Sequence, residues 1–333
     1  MSLRVGLIGY GYWGPNLLRN LAATPGCDIT MLADLDEKRL GAATKAYPSV
    51  EATTSSAGLI GHPRVDAVAI ATPVSTHHEL AAAALDAGKH VLIEKPLAGT
   101  ASEAQDLVER AEANQLALMV DHTFLYSGAV EKVRQLLGSG ELGDLLSYDS
   151  IRINLGLFQS DVNVLWDLGP HDISIMLYLL DQVPKAISAI GAGPVAMGAW
   201  RPESVVHVGM RFADGTLAHL HLDWLSPVKI RRTILSGSKG MVVYDHLDTD
   251  YQVKVFDKRF EAGDSVLVEY RTGDMVAPKV SQREPLAAVC EAFVLAAVGG
   301  HVPVSDGRFG AKVVRVLEAA QLSLERDGPW VPV

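Results

Sequence analysis

The 333-residue sequence has few cysteines, a deficit of basic residues and no long apolar run. Two cysteines, Cys27 and Cys290, are too few for a disulfide framework, so we predict no metal site and a cytoplasmic location. The longer apolar runs, such as residues 292–298, are too short to span a membrane, and we expect no signal peptide. Lys and Arg total 29 against 39 Asp and Glu, which argues against nucleic acid and membranes as partners.

What the sequence does contain is a glycine-rich turn, Gly-x-Gly-x-x-Gly, at residues 9–14. The apolar run RVGLI precedes it, the amphipathic segment PNLLRNL follows it, and a second apolar run ends just before Asp34. In this pattern Gly9 makes the tight turn, Gly11 lets the backbone approach a pyrophosphate, and Gly14 lets helix and strand pack closely. The N–H groups that begin the helix bind phosphates, and Asp34 accepts hydrogen bonds from a ribose hydroxyl. The segment therefore predicts binding of a nicotinamide or flavin dinucleotide.

The first third of the chain continues as strands and helices joined by short loops. Further strands are predicted at residues 65–71, 89–93 and 116–120, and helices at residues 36–47, 76–87 and 100–114. The last of these helices opens with Thr-Ala-Ser-Glu, which is a capping-box pattern. Continuously apolar strands that alternate with helices predict a parallel, doubly wound α/β sheet. We predict a dinucleotide-binding Rossmann domain at residues 1–122.

The pattern changes after this domain to strand-like runs with hairpin signals. Residues 205–212 and 216–224 flank an Asp214-Gly215 turn, and the second run alternates polar and apolar residues. Helices are predicted at residues 127–137, 170–180, 284–298 and 308–325. This order predicts an α+β domain at residues 123–333 with a large, mainly antiparallel, open-faced sheet.

The open face of that sheet predicts self-association. Helices are expected to cover one face, which leaves the other carrying side chains such as Val206, Val208 and Met210 or their alternates. An exposed sheet face of this size is usually buried by a partner copy. We therefore expect a homo-oligomer, either a dimer or a tetramer.

Ligands of an open parallel sheet bind outside the carboxyl ends of its strands, so residues that directly follow a strand are informative. Thr72 and Pro73 follow one predicted strand and lead to His77 at the start of a helix. The triplet Glu-Lys-Pro at residues 94–96 follows the next strand. By itself the triplet is a solvated loop ended by a proline. At the ligand edge of a dinucleotide domain, a role in binding or catalysis is at least as well supported.

The glycine turn, the Ala-Thr-Pro turn ending at Pro73 and the Glu-Lys-Pro triplet together resemble the Gfo/Idh/MocA oxidoreductase family. This is the glucose–fructose oxidoreductase and inositol dehydrogenase group, and the resemblance extends over essentially the whole chain. It implies that Lys95 reaches the substrate hydroxyl and the nicotinamide. Many members also have an aspartate followed four residues later by a histidine, which here are Asp167 and His171.

Asp167 and His171 also have a physical rationale of their own. Asp167 is predicted to cap the helix that continues to Leu180, with Pro170 in its first turn. His171 then lies one turn further on, and a carboxylate that holds an imidazole fixes its tautomer for proton abstraction. The alternative is a plain capping aspartate with a structural histidine. With Lys95 on the same predicted cleft, a catalytic role is favoured.

The candidate site residues fall into three groups. The predicted catalytic residues are Lys95, Asp167 and His171. The predicted cofactor contacts are Gly9, Gly11, Tyr12, Trp13, Gly14, Asp34, Thr72, Pro73, His77, Glu94 and Lys95. The predicted substrate contacts are His122, Tyr126, Asn154 and Asn163. Parts of the chain, namely residues 9–16, 122–126 and 161–167, resemble family members that act on nucleotide-linked sugars, although the basic residue expected near Gln159 is missing.

NAD is the expected cofactor and NADP is less favoured. Asp34 would repel a 2′-phosphate, and we expect Lys38 and Arg39 to point along a solvated helix. We also predict that the Lys95–Pro96 bond is cis, and that Trp13 packs over the cofactor or against the second domain.

These features predict an enzyme that transfers a hydride between a nicotinamide and a ring carbinol of a sugar, sugar nucleotide or polyol. Two alternatives remain open at this point. One is an NAD-dependent glycosidase of the same fold, and the other is a non-catalytic regulator that senses a dinucleotide. The joint presence of Lys95, Asp167 and His171 argues against the regulator.

Overall fold

The computed structural model describes residues 2–156, 158–159, 161–196, 198, 200–261 and 269–333. This part of the chain folds into two compact units. The first comprises Met1–Tyr126 and Arg283–Arg315, and the second comprises Ser127–Gln282 and Val316–Val333. The sequence predicts a single boundary between residues 122 and 123. The division differs from this prediction because the segment Arg283–Arg315 returns to the first unit.

The first unit is built on a parallel sheet. Its strands are β1 (Leu3–Ile8), β2 (Cys27–Ala33), β3 (Glu51–Thr53), β4 (Ala67–Ile70), β5 (His90–Glu94) and β6 (Leu118–Asp121). The six strands are ordered β3-β2-β1-β4-β5-β6, and every neighbouring pair is parallel. The chain order reverses between β1 and β4, which is the switch point where ligands of such sheets bind. The predicted doubly wound sheet is confirmed.

Helices cover the two faces of this sheet. They are α1 (Gly14–Ala23), α2 (Glu37–Ala46), α3 (Ser56–Ile60), α4 (His77–Asp86) and α5 (Ala101–Ala113). Pro15 lies in the first turn of α1, and Thr100 with Glu103 forms the predicted capping box of α5. The short elements β3 and α3 were not predicted, because three and five residues carry too little periodicity to be recognised.

One helix from the end of the chain belongs to the first unit. In α8 (Pro285–Gly299), Leu286, Val289 and Phe293 are buried in the same core as Leu17 of α1. Sequence analysis assigned this helix to the second domain. The apolar sequence of α8 indicates that the helix is buried, but it does not identify which of the two sheets the helix covers.

The second unit is built on a mixed sheet. Its strands are β7 (Leu145–Ile153), β8 (Ala186–Ala192), β9 (Val205–Arg211), β10 (Leu217–Asp223), β11 (Ile230–Gly237), β12 (Met241–Asp245), β13 (Val253–Glu261), β14 (Glu269–Val276) and β15 (Val331–Pro332). The nine strands are ordered β14-β13-β12-β11-β7-β10-β9-β8-β15, and the β7–β10 pair is parallel within an otherwise antiparallel sheet. The mainly antiparallel sheet is confirmed. Gly215, at φ 93°, makes the predicted turn between β9 and β10.

One helix of this unit carries the predicted catalytic residues Asp167 and His171. The helices of this unit are α6 (Gly128–Gly138), α7 (Val164–Leu180) and α9 (Gly307–Leu324), the last of which begins in the first unit. The cap of α7 is Asn163, whose side chain accepts the Trp166 N–H at 3.2 Å. The prediction that Asp167 caps this helix, with Pro170 in its first turn, is wrong. The helix starts earlier, and Pro170 lies in its interior.

The two faces of the second sheet differ in polarity. Val206, Val208 and Met210 are buried, so the alternate residues of β9 form the open face. That face carries His207, whose ring stacks on His221 of β10 with 4.2 Å between centroids. The open face is therefore more polar than expected. Among the described residues no helix is long and apolar enough to cross a membrane.

Candidate active site

The glycine turn has the geometry that a dinucleotide requires. Gly9 has φ 94°, and a Cβ there would lie 2.5 Å from the carbonyl oxygen of Ala71. A Cβ on Gly14 would collide with the carbonyl oxygen of Gly9. At Gly11 the Cβ position is open, since the nearest heavy atom beyond the adjacent residues is Nη1 of Arg39 at 3.8 Å. Gly9 and Gly14 are thus required by the fold, whereas the space beside Gly11 is free for a pyrophosphate.

Asp34 lies directly beside this turn. Its Oδ2 accepts the Tyr10 N–H at 2.6 Å, and its Oδ1 accepts the Asp36 N–H at 2.8 Å. Arg39 is exposed and its Nε lies 3.7 Å from Asp36 in the first turn of α2, as expected for a solvated helix, but its Nη1 also lies 3.7 Å from Oδ2 of Asp34, which was not expected. The carboxylate attracts the guanidinium back across the first turn of α2. The ribose position therefore has a carboxylate and a cation side by side.

Two loops at the carboxyl edge of the first sheet are joined by one histidine. The ring of His77 is buried, with Nδ1 2.8 Å from the Pro96 carbonyl oxygen and Nε2 2.9 Å from the Thr72 carbonyl oxygen. His77 thereby links the Thr72-Pro73 turn to the Glu-Lys-Pro triplet. The Lys95–Pro96 bond is cis, as predicted. Lys95 is half-buried at the end of β5.

The end of β6 adds two buried titratable groups. Burial raises the pKa of Asp121, opposed by hydrogen bonds from Thr123 and Trp13 and by the charge of Lys95. Burial, reinforced by Lys95, lowers the pKa of His122 to about 3, so this imidazole is neutral. Among the described residues neither ring nitrogen of His122 has a hydrogen-bond partner. The Trp13 indole donates to Asp121 at 3.1 Å, which anchors it inside the first unit.

Asp167 and His171 lie one turn apart on α7 and so share a face of this helix. Oδ2 of Asp167 accepts the indole N–H of Trp224 at 3.0 Å. Trp224 follows β10 and is fully buried. The carboxylate is therefore oriented by a rigid neighbour, a contact that sequence analysis did not identify because the two residues are far apart in the chain.

The predicted substrate contacts differ in their surroundings. Asn163 is buried, and its amide nitrogen also donates to Glu203 at 2.8 Å, so the structure explains it as a helix cap. The side-chain oxygen of Asn154 is buried and, within the described chain, has no hydrogen-bond partner. The Tyr126 hydroxyl lies 3.1 Å from the hydroxyl of Ser305. Asn154 is the one of these three with an unfilled side-chain acceptor.

The second unit also contains a buried ion pair that the sequence did not reveal. Arg152 donates to Asp172 through Nε at 2.5 Å and through Nη2 at 3.3 Å, and both side chains are almost fully buried. Asp172 also accepts the Ser150 hydroxyl at 2.7 Å. Arg231 on β11 is paired with Arg152 across the strands.

Comparison with known proteins identifies the family. Residues 3–122 match an oxidoreductase family with an NAD-binding Rossmann fold, and residues 130–243 match the GFO/IDH/MocA C-terminal domain. The chain belongs to the Gfo/Idh/MocA oxidoreductase family. It is therefore a dehydrogenase or reductase that uses a nicotinamide dinucleotide, and the resemblance of its motifs to this family is confirmed.

Individual members show how far the similarity extends. Oxidoreductase YdgJ of Escherichia coli K12 is 31% identical over 264 residues, covering 74% of this chain and 72% of that protein. UDP-N-acetylglucosamine 3-dehydrogenase of Acidithiobacillus ferrooxidans is 28% identical over 98% of both chains. The crystal structure of an oxidoreductase from Magnetospirillum magnetotacticum MS-1 has a TM-score of 0.82 at 30% identity, over 96% of this chain and 99% of that one.

Proposed function

We propose that this Gfo/Idh/MocA protein oxidises a ring carbinol of a sugar, sugar nucleotide or polyol and passes the hydride to NAD. The observation that carries the proposal is the place of Lys95. It follows β5 at the carboxyl edge of the glycine-turn sheet, and its charge acts on buried Asp121 and His122. A cation held at that edge suits the stabilisation of a developing alkoxide.

Each catalytic side chain has a role in this proposal. Bound nicotinamide supplies the hydride acceptor. His171 takes the proton of the substrate hydroxyl. Asp167 accepts from Trp224 and lies one turn before His171 on α7, from where it is proposed to set the tautomer of the imidazole when substrate is bound. Lys95 polarises the oxygen from which that proton leaves. The cofactor contacts are the glycine turn with Tyr12 and Trp13, Asp34, and the loops that contain Thr72, Pro73, His77 and Glu94.

NAD is proposed as the preferred cofactor. Asp34 is placed to bind a ribose diol and to repel a 2′-phosphate. Arg39 partly offsets this repulsion, because its guanidinium lies close to the same carboxylate. We therefore expect measurable binding of NADP, but weaker than that of NAD.

A nucleotide-linked sugar is the first substrate to test. The similarity to UDP-N-acetylglucosamine 3-dehydrogenase covers nearly the whole chain and supports this class. His122, Tyr126 and Asn154 are proposed to contact the substrate, and the unfilled oxygen of Asn154 can accept from a sugar hydroxyl. The test is NADH formation with UDP-sugars, dTDP-sugars and free polyols. A glycosidase or a regulator of this fold would bind NAD without accumulating NADH.

The open face of the second sheet is proposed to bind a second copy of the chain. Exposed apolar side chains on it, such as Ile190 and Leu217, support this even though the face also carries histidines. Light scattering should show a dimer or tetramer at micromolar concentration, and a monomer would contradict the proposal.

The buried free thiols of Cys27 and Cys290 support a reducing location such as the cytoplasm.

A further inference from the structure

Two arginine residues on neighbouring strands of the second unit lie near one buried carboxylate, which binds only one of them. Arg152 on β7 and Arg231 on β11 lie directly opposite each other in the antiparallel register. Asp172 binds Arg152 through both of its carboxylate oxygens, and one of these also accepts from Ser150. The carboxylate therefore has little capacity left for the second guanidinium.

Arg231 is left without a hydrogen-bond partner in the part of the chain that the structure describes. Its Nε is buried and bonds to nothing there. Burial lowers the pKa of Arg231, and the charge of Arg152 lowers it further, while Asp172, Tyr244 and Asp167 oppose the shift. A buried donor without a partner on a charged group destabilises the fold, so this position is unfavourable for the protein without a ligand.

The surroundings of Arg231 add positive charge, and among the described residues neither Asp172 nor Asp167, the two carboxylates whose charge acts on it, forms a hydrogen bond with its Nε. Burial and the charges of Arg152, Arg231 and Lys229 lower the pKa of His246 to about 4, so this ring is neutral near pH 7. The nearby Asp245 carboxylate lies 2.7 Å from Nη2 of Arg232. The side chain of Arg232 lies on the opposite face of the sheet from that of Arg231. A guanidinium with free donors in such a place suits a carboxylate or a phosphate, which it binds with two parallel hydrogen bonds.

We infer that Arg231 binds an anionic group of the substrate, either a sugar carboxylate or a sugar-linked phosphate. Asp167 is among the charges that act on Arg231, so the guanidinium lies near the helix turn that carries the proposed base. The inference rests on the proposed function and narrows it: acidic sugars and sugar nucleotides are favoured over neutral polyols.

The test compares Arg231→Gln with Arg232→Gln. Both variants remove one positive charge from adjacent positions of β11, but Arg232 lies on the other face of the sheet. Calorimetry on the NAD-loaded protein would use UDP-N-acetylglucosamine, glucuronate and myo-inositol as probes. Arg231→Gln should weaken binding of at least one anionic probe about 10- to 100-fold, the range expected for a charged hydrogen bond, and leave myo-inositol and NAD unchanged. Arg232→Gln should change none of these affinities.

The two anionic probes distinguish the source of the anion. If Arg231→Gln loses affinity only for UDP-N-acetylglucosamine, the bound anion is a phosphate. If it loses affinity only for glucuronate, the bound anion is a carboxylate. The melting temperature of Arg231→Gln should be unchanged or higher, because a partly buried cation that Arg152 repels is replaced by a neutral side chain. Unchanged affinity of Arg231→Gln for both anions would overturn the inference, and a lower melting temperature in the same variant would show that Arg231 only balances Asp172. Absence of NADH formation would refute the proposed function and leave the binding test intact.

Discussion

Neutralising Asp34 should reverse much of the preference for NAD. Its side chain is only 6% exposed, and its two oxygens accept the Tyr10 and Asp36 N–H groups. Asp34→Asn therefore removes the charge and keeps the size of the side chain, at the loss of one of these backbone hydrogen bonds. A unit-charge pair about 4 Å apart interacts by about 1 kcal/mol in water and more in a partly buried site. Loss of a carboxylate hydrogen bond to the ribose costs about 1.5 kcal/mol. Together, about 2.5 kcal/mol shifts the ratio of the two dissociation constants roughly 70-fold towards NADP.

Arg39 provides the second half of this experiment. Once Asp34 is neutral, Arg39 keeps only its contact with Asp36 and can turn its Nη atoms to the 2′-phosphate, so adding Arg39→Ala should abolish most of the gain in NADP affinity. Lys38→Ala is the matched control, because it removes a neighbouring exposed charge. Calorimetric titration with both cofactors measures the ratio. The reasoning is refuted if the wild type binds NADP as tightly as NAD, or if Asp34→Asn leaves the ratio unchanged.

Three further substitutions test other parts of the account. Trp224→Phe keeps an aromatic ring but removes the hydrogen bond to Asp167. We expect kcat to fall about tenfold with an unchanged KM for NAD. An unchanged kcat would show that this contact does not orient the carboxylate. His77→Ala removes the ring that contacts the carbonyls of Thr72 and Pro96 and should cost about 1–3 kcal/mol, seen as a lower melting temperature and slower NADH formation. A fully stable, active variant would argue against the link. Asp172→Asn should destabilise the protein by about 3–5 kcal/mol in denaturant unfolding, because Arg152 is left buried without its counter-ion, and a loss below 1 kcal/mol would contradict this.

Local sequence patterns predicted the parts of the fold that depend on local physics. The glycine turn, the capping box of Thr100 and Glu103, and the hairpin at Gly215 each satisfy a backbone requirement within a few residues. The start of α7 was misplaced because Pro170 is a common signal for a first helical turn, whereas Asn163 supplies the actual cap.

Contacts between distant residues could not be predicted in the same way. Trp224 meets Asp167 only after β10 and α7 have packed, and Arg231 lies opposite Arg152 only once the register of β11 and β7 is set. Arg39 lies near both Asp36 and Asp34, and only the first of these contacts follows from the helical pattern of α2. Candidate site residues that belong to motifs could therefore be proposed from sequence, while the side chains that contact them could not.

The most direct test of the central claim is NADH accumulation by the wild type and by His171→Ala, with His301→Ala as an exposed histidine control. The wild type should reduce added NAD in the presence of a UDP-sugar or another sugar in the panel. Its rate should rise with pH through the range where histidines titrate, about 6 to 7. His171→Ala should bind NAD normally but turn over roughly a hundred- to ten-thousand-fold more slowly, without that rise. Near-normal turnover by His171→Ala, or tight NAD binding with no NADH from any sugar, would contradict the account.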